Sequence, residues 1–171
     1  YSLKVKDHKK LIQKTKEINP DGVITHAAEL SIEVSKVAES LNLPGISVKS
    51  AINSTLKEKR LQVFNESKVN CPKFFIYDSQ ENFDKMLGRL KPELYPFIIK
   101  PNNSKGAFGV VKISSPDELI KYKNEVIRKT SGIYIIEEIV DGVQYSTESI
   151  FECGEMIWNA IALRHYDGME K

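Results

Sequence analysis

Cysteine, tryptophan and histidine are all scarce: the 171 residues hold Cys71 and Cys153, one tryptophan and three histidines. Two thiols allow at most one disulfide, which excludes a disulfide-framed scaffold. Long apolar runs are absent, and nothing approaches the roughly 20 residues needed to cross a bilayer. The N-terminal Tyr1-Ser2-Leu3-Lys4-Val5-Lys6 has no apolar signal core. These absences make the cytoplasm the expected compartment and leave no membrane partner in view. A charge excess is missing too. With 25 basic and 23 acidic residues the net charge is +2, which gives no electrostatic case for nucleic acid as the main partner.

Several motifs are also wanting. His8, His26 and His165 do not fall at metal-ligand spacing, and no Ser-His-Asp order stands out. There is no Gly-Lys-Ser/Thr opening a helix and no Gly-x-Gly-x-x-Gly between a strand and a helix, so the Walker and dinucleotide sites are excluded. Neither an internal repeat nor a low-complexity segment occurs. What is present is an ordinary globular balance, 41% hydrophobic and 28% charged, enough for one domain or two small ones sharing an interface.

The chain reads as alternating helices and strands. The basic start, with Lys4, Lys6, Lys9, Lys10, Lys14 and Lys16, is the solvated face of a helix in which Leu11 and Ile18 lie a heptad apart. Asn19-Pro20-Asp21-Gly22 is a turn, Val23-Ile24 a short buried strand, and Leu30, Val34, Val37, Ala38 and Leu41 mark a helix stopped by Leu43-Pro44-Gly45. A helix over 54–67 carries Leu56, Val63 and Phe64, followed by the strand Phe74 to Tyr77 and a helix through Phe83, Met86, Leu87 and Leu90. Ser115-Pro116-Asp117-Glu118 is a capping box with proline at the first helical position. Strands follow at Ile133 to Val140, Tyr145 to Phe151 and Met156 to Leu163, the last two joined by the tight turn Glu152-Cys153-Gly154-Glu155. The parallel-type start and antiparallel end imply a boundary near Gly45 to Asn53.

Between the apolar runs Phe97-Ile98-Ile99-Lys100 and Val110-Val111-Lys112-Ile113 lies Pro101 to Gly109, a polar loop with two glycines. Linking two strands, it can fold over a nucleotide and offer backbone amides to phosphate, with Lys100 at the end of the entering strand. An ordinary hairpin is the plain alternative. Tyr134 to Gly142 is an apolar strand running into Glu137 and Glu138 and then a turn. A strand leaving its sheet can give adenine a carbonyl and an amide, and a strand end with solvated glutamates is the plain alternative.

The order counts for more than any piece. A lysine-bearing helix, an Ile-Ile-Lys-Pro strand with a glycine-bearing loop, and then Ile-Ile-Glu-Glu-x-x-x-Gly, spread over Asp21 to Leu163, resemble the ATP-grasp superfamily. The nearest likeness is to carbamoyl phosphate synthase large subunits, biotin carboxylase and related carboxylate-amine ligases. The resemblance implies an α/β (α+β) fold, an ATP-grasp central domain with an antiparallel sheet and flanking helices. It implies residues 1–49 as the end of a preceding α/β domain and 50–171 as a nucleotide-binding region incomplete at its C-terminus. By the same resemblance Lys57 and Lys100 approach phosphates, Ser104, Lys105, Gly106 and Gly109 form the phosphate loop, and Ile98 and Val110 flank adenine. Glu137, Glu138 and Val140 match the hinge, with the Glu138 carbonyl and the Val140 amide facing the base.

Two departures from the family pattern matter. Gln144 stands where many relatives carry a ribose-binding glutamate, and a neutral hydrogen bond is worth nearer 1 kcal/mol than the roughly 1.5 to 3 kcal/mol of a charged one. Glu148 is a substitute or a solvent-facing strand residue. Glu29 is a substrate-facing acid or a stabiliser of the following helix N-terminus. No Glu-x-Asn segment follows Asn159, so ATP is expected here with the Mg2+ ligands outside this stretch, and no metal ligand is assigned within it. The implied parent is an ATP-dependent ligase acting on an unknown carboxylate, with this piece inactive alone and homodimerisation left open. A nucleotide-holding module without turnover, a small-molecule kinase of the same fold and a protein-interaction module are the alternatives.

Overall fold

The computed structural model describes residues 7–26, 28–104, 108–127 and 132–165. The chain divides into two compact units, Tyr1–Glu138 and Ile139–Lys171.

The first unit opens with α1 (His8–Ile18), whose N-terminal amides are met by the Asp7 carboxylate and which ends at Asn19 in the left-handed conformation. Leu11 is half-buried, but Ile18 is 63% exposed. Leu11 and Thr15, one turn apart, instead line a shared apolar groove with Val34 and Val37. Those two belong to α2 (Ser31–Ser40), which buries Val37 and Ala38 as its spacing predicts. Val23-Ile24 forms no strand, and Ile24 is 90% exposed. Two apolar residues cannot make a strand without a neighbour to pair their amides and carbonyls, and among the described residues none pairs there. Glu29 precedes α2, and Glu33 is the acid of its first turn.

The helix expected over 54–67 begins at Lys57, and a separate helix that the spacing did not disclose precedes it. Ser47 caps α3 (Val48–Thr55) through Ser50 N, and Ala51 is fully enclosed. Leu56 then turns to an extended conformation, with φ −81° and ψ 122°, and α4 (Lys57–Glu66) restarts behind it. This break puts Lys57 and Glu58 in a first helical turn.

Four strands form one antiparallel sheet: β1 (Phe74–Asp78), β2 (Phe97–Pro101), β3 (Val111–Ile113) and β4 (Ile133–Glu138), in the order β1-β4-β2-β3. One face, with Tyr77, Phe97, Ile99, Ile113, Tyr134 and Ile136, packs against α5 (Phe83–Arg89) and α6 (Pro116–Tyr122) to make the core. Asn82 caps α5, accepting from Asp84 N and Lys85 N. Ser115 caps α6 through Glu118 N, while the Glu118 carboxylate accepts from Ser114 N, one residue before the position a capping box uses. Leu119 is fully enclosed, and a π-helical turn, Lys123–Ile127, brings Ile127 into the same core.

The second unit is a hairpin of β5 (Tyr145–Glu152) and β6 (Glu155–Leu163). Its turn uses Cys153 and Gly154 at φ 50° and 87°, the paired positive values that suit the twist of a two-residue connection. Among the described residues no helix is long and apolar enough to cross a membrane.

Candidate functional site

The sheet has a second face. Alternation along β2 puts Phe97 and Ile99 in the core and Ile98 and Lys100 on the opposite side. The register places Ile98 opposite Glu137 and Lys100 opposite Ile135, so these four share that face. Ile98 and Ile135 are buried there, giving an apolar floor from which one cation and one anion rise. Lys100 and Glu137 are diagonal neighbours across the β2–β4 pair, and the Lys100 ammonium donates to the Glu137 carboxylate. Both side chains are largely buried.

Lys57 approaches from α4. Its Nζ donates to the carbonyls of Ser104, at 2.7 Å, and Asn102, at 3.2 Å. An ammonium has three N–H groups, so the first residues of the loop engage two and one is left for a further acceptor. Burial lowers the Lys57 pKa from the ordinary lysine value, repulsion from Lys100 and Arg60 lowers it further, and Glu29 and Glu137 oppose the shift. Two lysines far apart in sequence thus feel one another in a partly desolvated place, an arrangement that an anion would relieve.

The loop between β2 and β3 is fixed at both ends. At the entry, Asn102 is 7% exposed. Its amide donates to Ile133 O at 2.8 Å, and its side-chain oxygen accepts from Glu58 N at 2.9 Å. Ser104 Oγ donates to Pro101 O. At the exit, Gly109 has φ +69°, and a Cβ there would lie 2.9 Å from Pro101 Cγ. The Tyr122 hydroxyl donates to Gly109 O at 2.7 Å, and burial raises its pKa far above the usual phenol value, so it stays a donor. A cavity of about 470 Å³ lies beside this loop, between Leu56, Glu58, Asn102, Ser104, Phe108 and Tyr134.

The remaining candidates divide between the units. Val110 is half-buried, one residue before β3. Lys105 and Gly106 lie outside the described residues. Glu138 holds the entry to β1: its amide donates to Lys73 O at 3.0 Å and its carboxylate accepts from Lys73 N at 2.9 Å. Val140 and Gln144 belong to the second unit, where both are exposed and the Gln144 carbonyl accepts from Arg164 N. Glu148 lies on β5 opposite Ala160 and is exposed. No group of three or more histidine, cysteine, aspartate or glutamate side chains suited to a metal occurs among the described residues.

Sequence reasoning missed three contributors, Asn102, Tyr122 and the pairing role of Glu137. The asparagine stood in a loop called polar, and the tyrosine lay on a helix read only for its apolar face. Glu137 could have been found, because strands that place Ile98 and Lys100 on one face need a partner for the lysine.

No protein-family model matches this sequence, and no curated protein matches it. Solved structures do. An L-amino acid ligase from Bacillus licheniformis superposes with a TM-score of 0.67 at 28% identity, covering 87% of this chain and 34% of that one. A D-alanine–D-alanine ligase from Bacillus anthracis complexed with ATP gives a TM-score of 0.63 at 24% identity, covering 95% and 54%. Phosphoribosylglycinamide synthetase from Anaerococcus prevotii gives 0.62 at 20%, covering 94% and 39%. The chain therefore spans between 34% and 54% of the length of these three. They are ATP-grasp ligases, and the fold of this chain, helices flanking an antiparallel sheet, is theirs.

Proposed function

We propose that this chain is the ATP-binding part of an ATP-dependent ligase that activates a carboxylate as an acyl phosphate for attack by an amine or similar nucleophile. The observation that carries the reading is the meeting of Lys57 and Lys100, from α4 and β2, beside a loop held at both ends. Phosphates recognised there would gain two charge-assisted contacts in a partly desolvated place. The loop amides over 104–109 and the apolar pair Ile98 and Val110 would complete the phosphate and adenine contacts. Glu137, Glu138 and Val140 would supply the hinge and Gln144 the ribose contact. Residues 1–49 are read as the end of a preceding α/β domain and 50–171 as the nucleotide-binding region.

In this reaction a carboxylate oxygen attacks the γ-phosphorus and ADP leaves. The amine nitrogen then attacks the acyl carbon, and phosphate departs. Lys57 and Lys100 would hold the phosphates in line and offset their charge. Magnesium would offset phosphate charge when bound, with its ligands expected outside this stretch, and the chain alone is expected to bind without turnover. A narrower likeness to carbamoyl phosphate synthase rests on motif order. The amino-acid ligases that share the fold favour an amine nucleophile. Gln144, in place of an acid, favours the alternative of a module that holds nucleotide without turning it over.

Calorimetry with ATP and adenosine tests the reading. Lys100→Ala is expected to weaken ATP about ten- to a hundredfold, from the loss of a charge-assisted contact of about 1.5 to 3 kcal/mol, with adenosine nearly unaffected. Because Lys100 neutralises Glu137, the lysine variant also leaves a largely buried carboxylate near the phosphates. Lys100→Ala with Glu137→Gln removes that repulsion and should recover part of the loss. Equal losses for both ligands, or no ATP binding by the unaltered chain at millimolar concentration, would sink the proposal.

A further inference from the structure

We infer that Asn102 is the positioning residue of the phosphate site, acting through Lys57 and the loop entry without touching nucleotide. The inference rests on the ATP-binding reading above. Three polar groups of this one buried residue go to three different places. The amide donates to Ile133 O at the start of β4. The side-chain oxygen accepts from Glu58 N in the first turn of α4. The carbonyl accepts from Lys57 Nζ, which also holds Ser104 O.

Each bond has a physical reason. The first amides of a helix have no intrahelical acceptor. The residue at the cap position of α4, Leu56, has an apolar side chain that offers none. Asn102 supplies that acceptor from 44 residues away in sequence, so it serves as a cap brought in by the tertiary fold. The same contact fixes where α4 begins relative to β2 and hence where the Lys57 side chain emerges. The Asn102 carbonyl then orients the ammonium. An asparagine is suited to this place because its side chain accepts from an amide without adding a charge next to the phosphates.

A residue that only stabilised the sheet would weaken ATP and adenosine alike. A positioning residue splits them, because adenosine makes no use of Lys57 or of the loop. In Asn102→Ala the acceptor for Glu58 N is gone, and ATP is expected to bind about tenfold or more weakly with adenosine within about threefold. Asn102→Asp keeps an acceptor at the same place but adds a negative charge beside the phosphates, so it should recover only part of the ATP affinity. Amide hydrogen exchange supplies a readout that needs no ligand and stays informative if the alanine variant is poorly folded. In the unaltered chain the Glu58 amide should be protected, and Asn102→Ala should speed its exchange about tenfold or more, with Asn102→Asp close to the original and Leu119 unchanged. Equal ATP affinity in the unaltered and alanine forms, where the unaltered chain binds ATP, overturns the positioning role and leaves the ATP reading standing. Absence of ATP binding by the unaltered chain overturns both. Unchanged Glu58 exchange in Asn102→Ala overturns the inference whatever the nucleotide does.

Discussion

In the first unit Ile99, Leu119 and Ile135 are completely enclosed, whereas Ile150, Phe151, Ile157 and Ile161 of the hairpin each leave more than half of their surface exposed. Both regions are antiparallel and backbone-paired, the hairpin with one register shift between Ile150 and Phe151. The difference is a second layer. The four-stranded sheet has α5 and α6 against one face, while the two-stranded ladder has backbone bonds and a tight turn but, among the described residues, no layer of its own. Backbone pairing sets the register, and burial supplies the stability. The proposed phosphate contacts from Lys57, Lys100 and the loop stand on the region that has both.

The sharpest way to break this contrast is to delete comparable apolar side chains in each region. Leu119→Ala, in the core beneath the sheet, should cost about 2 to 5 kcal/mol in urea unfolding, since the lost burial leaves a cavity that the packed neighbours fill only partly. Ile161→Ala, at 65% exposure, should shift stability by no more than about 0.5 kcal/mol. A loss at Ile161 as large as at Leu119 would mean that the hairpin face is buried in solution.

Two glycines extend the test to backbone conformation. Gly109 and Gly154 both have positive φ, but a Cβ at Gly109 meets Pro101 at 2.9 Å whereas nothing lies within 4 Å of one at Gly154. Gly154→Ala should carry the dihedral cost alone, about 1 kcal/mol, read as faster amide exchange across β5 and β6. Gly109→Ala adds the contact with Pro101 and should cost about 1 to 3 kcal/mol, seen in urea unfolding together with faster exchange at the loop exit. Equal effects would show that Pro101 yields freely.

How far the sequence disclosed this depends on how local each cause is. The Ser115 cap, the proline after it, the Phe97 to Lys100 run and the Cys153-Gly154 turn act over a few residues, so the elements they define appear where local patterning puts them. Val23-Ile24 failed for the opposite reason: a strand is made by its partner, and none of the described strands is one. The helix α3 escaped because it offers little apolar periodicity, with Ala51 as its buried residue. Lys57 and Lys100 were legible as one helix cation and one strand cation. That Lys57 grips the carbonyls of Asn102 and Ser104, and that Lys100 grips Glu137, depends on the strand register and on where α4 restarts, which periodicity does not encode.

The smallest expected effect concerns the charge that the first unit draws inward. The Lys57 pKa is lowered from its ordinary 10.5, with burial as the chief cause and Lys100 next. The sign follows from proton counting. Between the folded value and 10.5 the unfolded chain holds more proton at this lysine than the folded chain does, so stability gains a positive slope with pH in that window. Lys57→Met has no proton to lose there. The stability of the unaltered chain relative to Lys57→Met should therefore rise as pH climbs through the window and stay flat below the folded pKa. Because the side chain is only half-buried, solvent screening keeps the effect small. Measuring urea midpoints of both forms across the alkaline range isolates it, since every other titrating group is shared. ATP affinity should move the other way, falling as the ammonium deprotonates and loses its charge for phosphate. Opposite trends in stability and affinity identify a half-buried cation kept for an anion. A flat stability difference across the window would mean that Lys57 is as well solvated as an ordinary surface lysine. An ATP affinity that follows stability upward would remove Lys57 from the phosphate site.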